Sequence, residues 1–109
     1  VPQGVDFIFD ARILPNPYWV ESLRDHSGLE EPVREWLERD ESVQRMVDDI
    51  AGFLLNWLPE FSKSQRSYVT IGVGCTGGFH RSVYLINRLA ATLEERFENV
   101  LVYHRELPS

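Results

Sequence analysis

An α/β fold, with a small and mostly parallel sheet joined by helical crossovers, is what the order of patterns along this chain predicts. Three observations carry that expectation. Tyr68 to Val73 is apolar nearly throughout, which suits a strand covered on both faces. Val43, Met46, Val47, Ile50, Leu54, Trp57 and Leu58 recur at spacings of three and four, the signature of a helix with one apolar face. Strand-like and helix-like stretches then alternate along the chain, which favours crossovers between parallel strands over hairpins.

Taken in order, Val5 to Arg12 reads as the first strand, centred on Phe7, Ile8 and Phe9. Leu14-Pro15-Asn16-Pro17 reads as a loop, because each proline removes a donor and restricts the residue before it. Glu30 to Arg39 reads as a short helix with Val33, Trp36 and Leu37 on one side. Asp40 or Ser42 is placed to cap the next helix, which Pro59 ends or kinks. After the strand Tyr68 to Val73, a third helix spans Val83 to Phe97 with Ile86, Leu89, Ala90, Leu93 and Phe97 inward. Val100 to Tyr103 is the last strand. Right-handed crossovers bring the C-terminal ends of parallel strands to one rim, where open α/β sheets bind ligands. Asp10, Arg12, Asn16, the segment after Val73, His104 and Arg105 are therefore expected to converge. A three-stranded sheet has two edges, and at least one is expected to be covered by another protomer or a further domain.

The 109 residues fit one domain, and an apolar share of 43% supplies a modest core. A chain that opens on Val1 reads as one piece of a longer protein. It contains no apolar run of membrane-spanning length and no signal-peptide pattern, so no membrane association is expected. The one cysteine excludes an internal disulfide, fits a reducing, cytoplasmic compartment, and makes a thiolate metal site improbable. No metal is expected. The net charge of −6 argues against nucleic-acid binding by overall charge. All basic residues but Lys63 are arginine, and most stand among acids, as solvated helix faces do.

The stretch that carries chemistry is Gly74-Cys75-Thr76-Gly77-Gly78-Phe79-His80-Arg81-Ser82. A strand, a glycine-rich turn and a helix start together form an anion cradle: backbone N–H groups point outward and the helix dipole favours negative charge. Glycines admit the ligand to the backbone. His80 adds a donor, and the Arg81 fork can hold two oxygens of a phosphate or carboxylate. The pattern lacks the Gly-Lys-Ser/Thr ending of a P-loop. Two alternatives stand beside anion binding. One is a tight turn with no ligand. The other is a cysteine-dependent phosphatase, since Cys75, five residues, Arg81 and Ser82 fit a Cys-x5-Arg-Ser/Thr loop, with Asp10 as general acid. Gly74 stands where many such enzymes have histidine. Asp10 and Arg12 form either an internal ion pair or a contact to a ligand amine or hydroxyl. Asn16 and Arg12 fix the proline loop or face the ligand. Tyr18 is the aromatic placed for ligand contact, whereas Trp19, Trp36 and Trp57 read as core or interface. His104 is a ligand donor or a surface residue, and His26 a surface residue.

These residues resemble the C-terminal domain of the RapZ family of RNase adapter proteins. The resemblance rests on Phe9-Asp10-Ala11-Arg12-Ile13-Leu14-Pro15-Asn16-Pro17, Ser27-Gly28-Leu29 with Glu31-Pro32-Val33, Arg66-Ser67-Tyr68-Val69-Thr70-Ile71, the Gly74 to Ser82 block, and His104-Arg105. It covers nearly the whole chain. It implies a sugar-phosphate-binding-like α/β domain that is non-catalytic, senses glucosamine-6-phosphate, binds small regulatory RNA and presents that RNA to an RNase. It also implies self-association, and an N-terminal P-loop domain, absent here, that takes ATP or GTP, leaving this domain without a cofactor. Carried over by position, the anion site comprises Ser67, Gly74, Cys75, Thr76, Gly77, Gly78, His80, Arg81 and Ser82, with Asp10, Arg12, Asn16, Tyr18, His104 and Arg105 around it. Phe79 inside the loop, the end at Glu106-Leu107-Pro108-Ser109 without basic residues and the net charge of −6 depart from an RNA-binding pattern. They weigh against RNA binding by this domain alone.

Overall fold

The computed structural model describes residues 6–63, 69–76, 80–97 and 100–107. Strand β1 (Phe7–Asp10) is followed by a 3-10 turn (Pro17–Trp19), helix α1 (Glu31–Glu38), helix α2 (Glu41–Lys63), strand β2 (Val69–Thr76), helix α3 (Arg81–Glu94) and strand β3 (Val100–Leu107). The three strands form one parallel sheet in the order β1-β2-β3. This is the α/β architecture that the alternating patterns predict.

Register follows from how the strands start and which face they bury. At the start of β1, the Asp6 N–H donates to the Thr70 carbonyl at 2.9 Å while the Thr70 N–H donates to Asp6 Oδ2 at 2.8 Å. Phe7 then pairs with Ile71 and Phe9 with Val73, and Ile71 and Val73 pair with Val102 and His104. Alternation places Phe7, Phe9, Val69, Ile71, Val73, Cys75, Val100 and Val102 on one face. These residues belong to or pack on the single apolar cluster, which α1, α2 and α3 complete. Ile8, Thr70, Gly72, Gly74 and Leu101 point the other way, and Ile8 and Leu101 are half exposed.

The helices bury the faces their spacing predicts, with corrections. In α2, Val43, Val47, Ile50, Leu54 and Leu58 are buried, each side chain removing about 1.5–3 kcal/mol worth of apolar surface from water. Trp57 sits on the flank of that stripe and is 47% exposed. Phe53 of α2 meets Phe7 and Phe9 edge-on, at centroid distances of 5.5 and 6.1 Å. Asp40 caps α2, its Oδ1 accepting from the Ser42 N–H at 2.8 Å. Pro59 lies inside α2, which continues to Lys63, so the proline does not end it. The buried face of α3 is Arg81, Ser82, Tyr84, Leu85, Leu89 and Leu93, a wider stripe than Ile86, Leu89, Ala90, Leu93 and Phe97. The Tyr84 hydroxyl escapes an unpaired burial: it donates to Glu38 Oε2 at 2.9 Å and accepts from Arg88 Nη1 at 2.6 Å, tying α1 to α3. Among the described residues no helix is long and apolar enough to cross a membrane.

Candidate functional site at the sheet rim

Parallel pairing sets Asp10, Gly74 and Arg105 side by side across the sheet, with Cys75 beside Glu106 and Thr76 beside Leu107. The three strand ends therefore share one rim. Strand β2 runs on through Thr76, so Gly74 and Cys75 are ladder residues and not part of a turn. The backbone pairing that continues past Asp10 explains this: the Ala11 N–H still donates to the Gly74 carbonyl, at 2.8 Å. Helix α3 starts at Arg81, five positions after the end of β2 at Thr76, and His80 at its N-cap supplies no side-chain cap. Ser67, Gly77 and Gly78, three expected anion contacts, and Phe79 lie outside the described residues, as do the side chains of His104 and Arg105.

His80 and Arg81 are both buried, 5% and 4% exposed. Arg81 Nη1 donates to the Arg12 carbonyl at 2.7 Å and to the Leu14 carbonyl at 3.1 Å. His80 Nε2 lies 3.1 Å from the Arg24 carbonyl. A carbonyl only accepts, so Nε2 carries the proton. Two consecutive residues thus hold the loop that follows β1, one at its start and one at its end. The sequence reading gave both side chains to an anion; the structure gives each a protein acceptor first. Burial holds the His80 pKa below the ordinary histidine value, against the opposing effect of the Arg24, Leu23 and His26 carbonyls. The rim's positive charge therefore comes from arginine and not from this imidazole.

Asp10 and Arg12 form the ion pair that was one of their two readings. Arg12 Nη2 and Nε reach Asp10 Oδ2 and Oδ1 at 2.7 and 3.0 Å, and the Arg12 N–H adds a bond to Oδ1 at 2.8 Å. The hydrogen bonds from Arg12 hold the Asp10 carboxyl below its usual range, and the charges of Arg12 and Arg81 act in the same direction. Asn16 serves the loop: its Oδ1 accepts from the Tyr18 N–H at 3.1 Å and caps the 3-10 turn. Tyr18 and Trp19 stand outward in an edge-on pair 5.2 Å apart, with the Arg24 guanidinium over the Tyr18 ring at 4.9 Å. Trp19 is 76% exposed and so is not core.

Cys75 joins the strand to the helix. Its thiol donates to Ser82 Oγ at 3.2 Å, and the Ser82 N–H donates to Cys75 Sγ at 3.3 Å. Both residues are buried, Cys75 to 1% and Ser82 completely. Neither the thiol nor the hydroxyl faces solvent, whereas a nucleophile must meet its substrate.

Gly28 is the residue that sequence reasoning passed over. A Cβ there would sit 2.2 Å from the His80 carbonyl oxygen and 2.8 Å from the Tyr84 nitrogen. Those two atoms form the first hydrogen bond of α3, at 3.0 Å. Only a glycine lets the loop lie on the helix start. The signal in the sequence is the Ser27-Gly28-Leu29 turn. Around it, Glu30 accepts from the Ser27 N–H at 2.7 Å and pairs with His26 Nδ1 at 2.9 Å, so His26 has a structural partner.

Comparison with known proteins bears on this rim. The family model described as the RapZ C-terminal domain matches residues 1–108. A protein of Marinobacter nauticus named "Nucleotide-binding protein" is 53% identical over 99% of this chain and 37% of its own length. "Nucleotide-binding protein PputGB1_0956" of Pseudomonas putida is 52% identical over 98% of the chain and 38% of its length. A "Nucleotide-binding protein" of Pseudomonas syringae pv. tomato is 54% identical over 98% and 38%. The chain thus spans well under half the length of these relatives.

Proposed function

Because the chain belongs to the RapZ C-terminal domain family, we propose that it is a regulatory, non-catalytic sensor of a phosphorylated amino sugar such as glucosamine-6-phosphate, bound at the rim where β2 meets α3. The observation that carries this reading is the start of α3, where the N-cap residue His80 supplies no side-chain cap, with the Arg81 guanidinium beside it and the Asp10–Arg12 pair across the rim. Helix dipole and guanidinium both favour a dianionic phosphate there. The Asp10 carboxylate, partly exposed, offers an acceptor for an amine.

The longer proteins to which such a domain belongs would, on this reading, be cytoplasmic and self-associating. They would bind small regulatory RNA and adapt it to an RNase, with the sugar phosphate as the signal. The nucleotide binding in the relatives' names is assigned to the part of those proteins that this chain does not span, since no Gly-Lys-Ser/Thr element occurs here. ATP or GTP would bind there.

Calorimetry with glucosamine-6-phosphate, glucosamine and inorganic phosphate tests the proposal. The phosphorylated sugar is expected to bind at least about tenfold more tightly than glucosamine, because the charged hydrogen bonds go to the phosphate. Equal affinity for the two sugars would overturn it.

A further inference from the structure

A second concave surface lies away from α3, between β1 and the first half of α2. It is a cleft of about 420 Å³ whose apolar lining is Phe9, Ile13, Leu14, Met46, Ile50 and Phe53, with Asp10, Arg45 and Asp49 as its charged lining. Three features define what fits it. The walls are apolar, and the surface continues outward through Ile13, Phe53 and Trp57, which are 83%, 42% and 47% exposed. The strand that forms one wall is a sheet edge: among the described residues β1 pairs with β2 alone. Beside the cleft, Glu41, Asp48 and Asp49 surround the single cation Arg45 on the exposed side of α2, while Asp10 is already neutralised by Arg12.

A free strand edge beside an apolar well is the geometry of strand addition, in which main-chain bonds give affinity and alternate side chains give selectivity. The acidic surround selects positive charge. We propose that this cleft docks an extended, basic segment of a partner protein, which adds to the edge of β1, lowers one apolar side chain between Met46 and Phe53, and places arginine or lysine against Asp48 and Asp49. The cleft touches the sugar-phosphate rim through Asp10, but its α2 wall and the acidic residues that select the partner lie outside that rim.

The probe is a labelled eight-residue peptide of alternating arginine and leucine, with a peptide of alternating glutamate and leucine as control. Anisotropy is expected to show saturable binding of the basic peptide, at least about tenfold tighter than the acidic one at low salt. Amide shifts are expected at Ile8, Phe9 and Ile13. Joint Asp48→Lys and Asp49→Lys substitution, on an exposed surface where the fold tolerates it, should cost the basic peptide about tenfold. Equal affinity for both peptides, or shifts confined to Trp19 and α3, would overturn the proposal. So would undiminished binding of a peptide N-methylated at alternate residues, because strand addition needs those donors. Self-association that the Phe53→Ser variant abolishes would give the cleft to a second copy of the chain instead.

Discussion

Arg81 and Arg12 stand 69 residues apart in sequence and 2.7 Å apart in space, the guanidinium of one on the carbonyl of the other. That bond and its companion to Leu14 use a buried charge to hold backbone. A buried guanidinium normally answers to a carboxylate; here two carbonyl dipoles and the nearby Asp10 carboxylate share that role.

Arg81→Ala should therefore be costly before any ligand is added. It leaves the Arg12 and Leu14 carbonyls without their donor, and a loss of about 2–4 kcal/mol in urea unfolding is expected. Arg81→Lys restores the charge and one donor, and should recover part of the stability. Its affinity for glucosamine-6-phosphate should remain below that of the parent chain, since an ammonium cannot serve carbonyl and phosphate in the same planar fork.

Two glycine substitutions should act in opposite directions. Gly28→Ala forces a Cβ into the backbone of His80 and Tyr84, and should destabilise by about 1–3 kcal/mol. Gly52 lies within α2 with nothing inside 4 Å of its missing Cβ, so Gly52→Ala should stabilise by about 0.5–1 kcal/mol through helix propensity. Thermal melts of both variants check the signs.

His80 should make stability pH-dependent. Its pKa is lower folded than unfolded, chiefly because burial disfavours the cation. The unfolded chain then binds more protons between the two values, so stability is complete above the unfolded value of about 6.5 and falls as pH drops through it towards the folded value. Melting temperature should decline from pH 7.5 to 5, and His80→Gln should flatten that decline. A slope that survives the substitution unchanged would assign it elsewhere. Asp10, Glu30 and Asp40, whose pKa values hydrogen bonds lower, contribute only at more acidic pH.

Cys75 should show no phosphatase chemistry. Its thiol is buried and engaged by Ser82. Hydrolysis of an aryl phosphate should match the buffer rate, and Cys75→Ser should leave it unchanged. Turnover that disappears in Cys75→Ser would restore the enzyme reading.

The strands and helices were legible because their apolar periods are clean: the run through Val69 to Val73 and the α2 spacing needed no tertiary context, while Tyr68, its expected first residue, lies outside the described residues. The common rim was legible for the same reason, since alternation with crossovers implies parallel strands; the register that sets Asp10 beside Gly74 and Gly74 beside Arg105 is visible only in three dimensions. What a one-dimensional pattern hides is where a polar side chain spends its donors. Arg81 and Ser82 read as ligand contacts by type, yet both are buried because a distant loop and a strand thiol supply acceptors. Gly74 and Cys75 read as a turn by composition, and a neighbouring strand kept them extended. Trp57 followed the α2 spacing but lies at the margin of the stripe, where a large ring emerges from the core.

His80 and Arg81 grip the two ends of the same loop, and Tyr18 and Trp19 are carried between those ends. A shift in the first turn of α3 should therefore reach an indole on the molecule's exterior. Trp19 is in this sense a native fluorophore beside the rim, and with Trp36 and Trp57 replaced by phenylalanine its emission during a titration should register occupancy without a label.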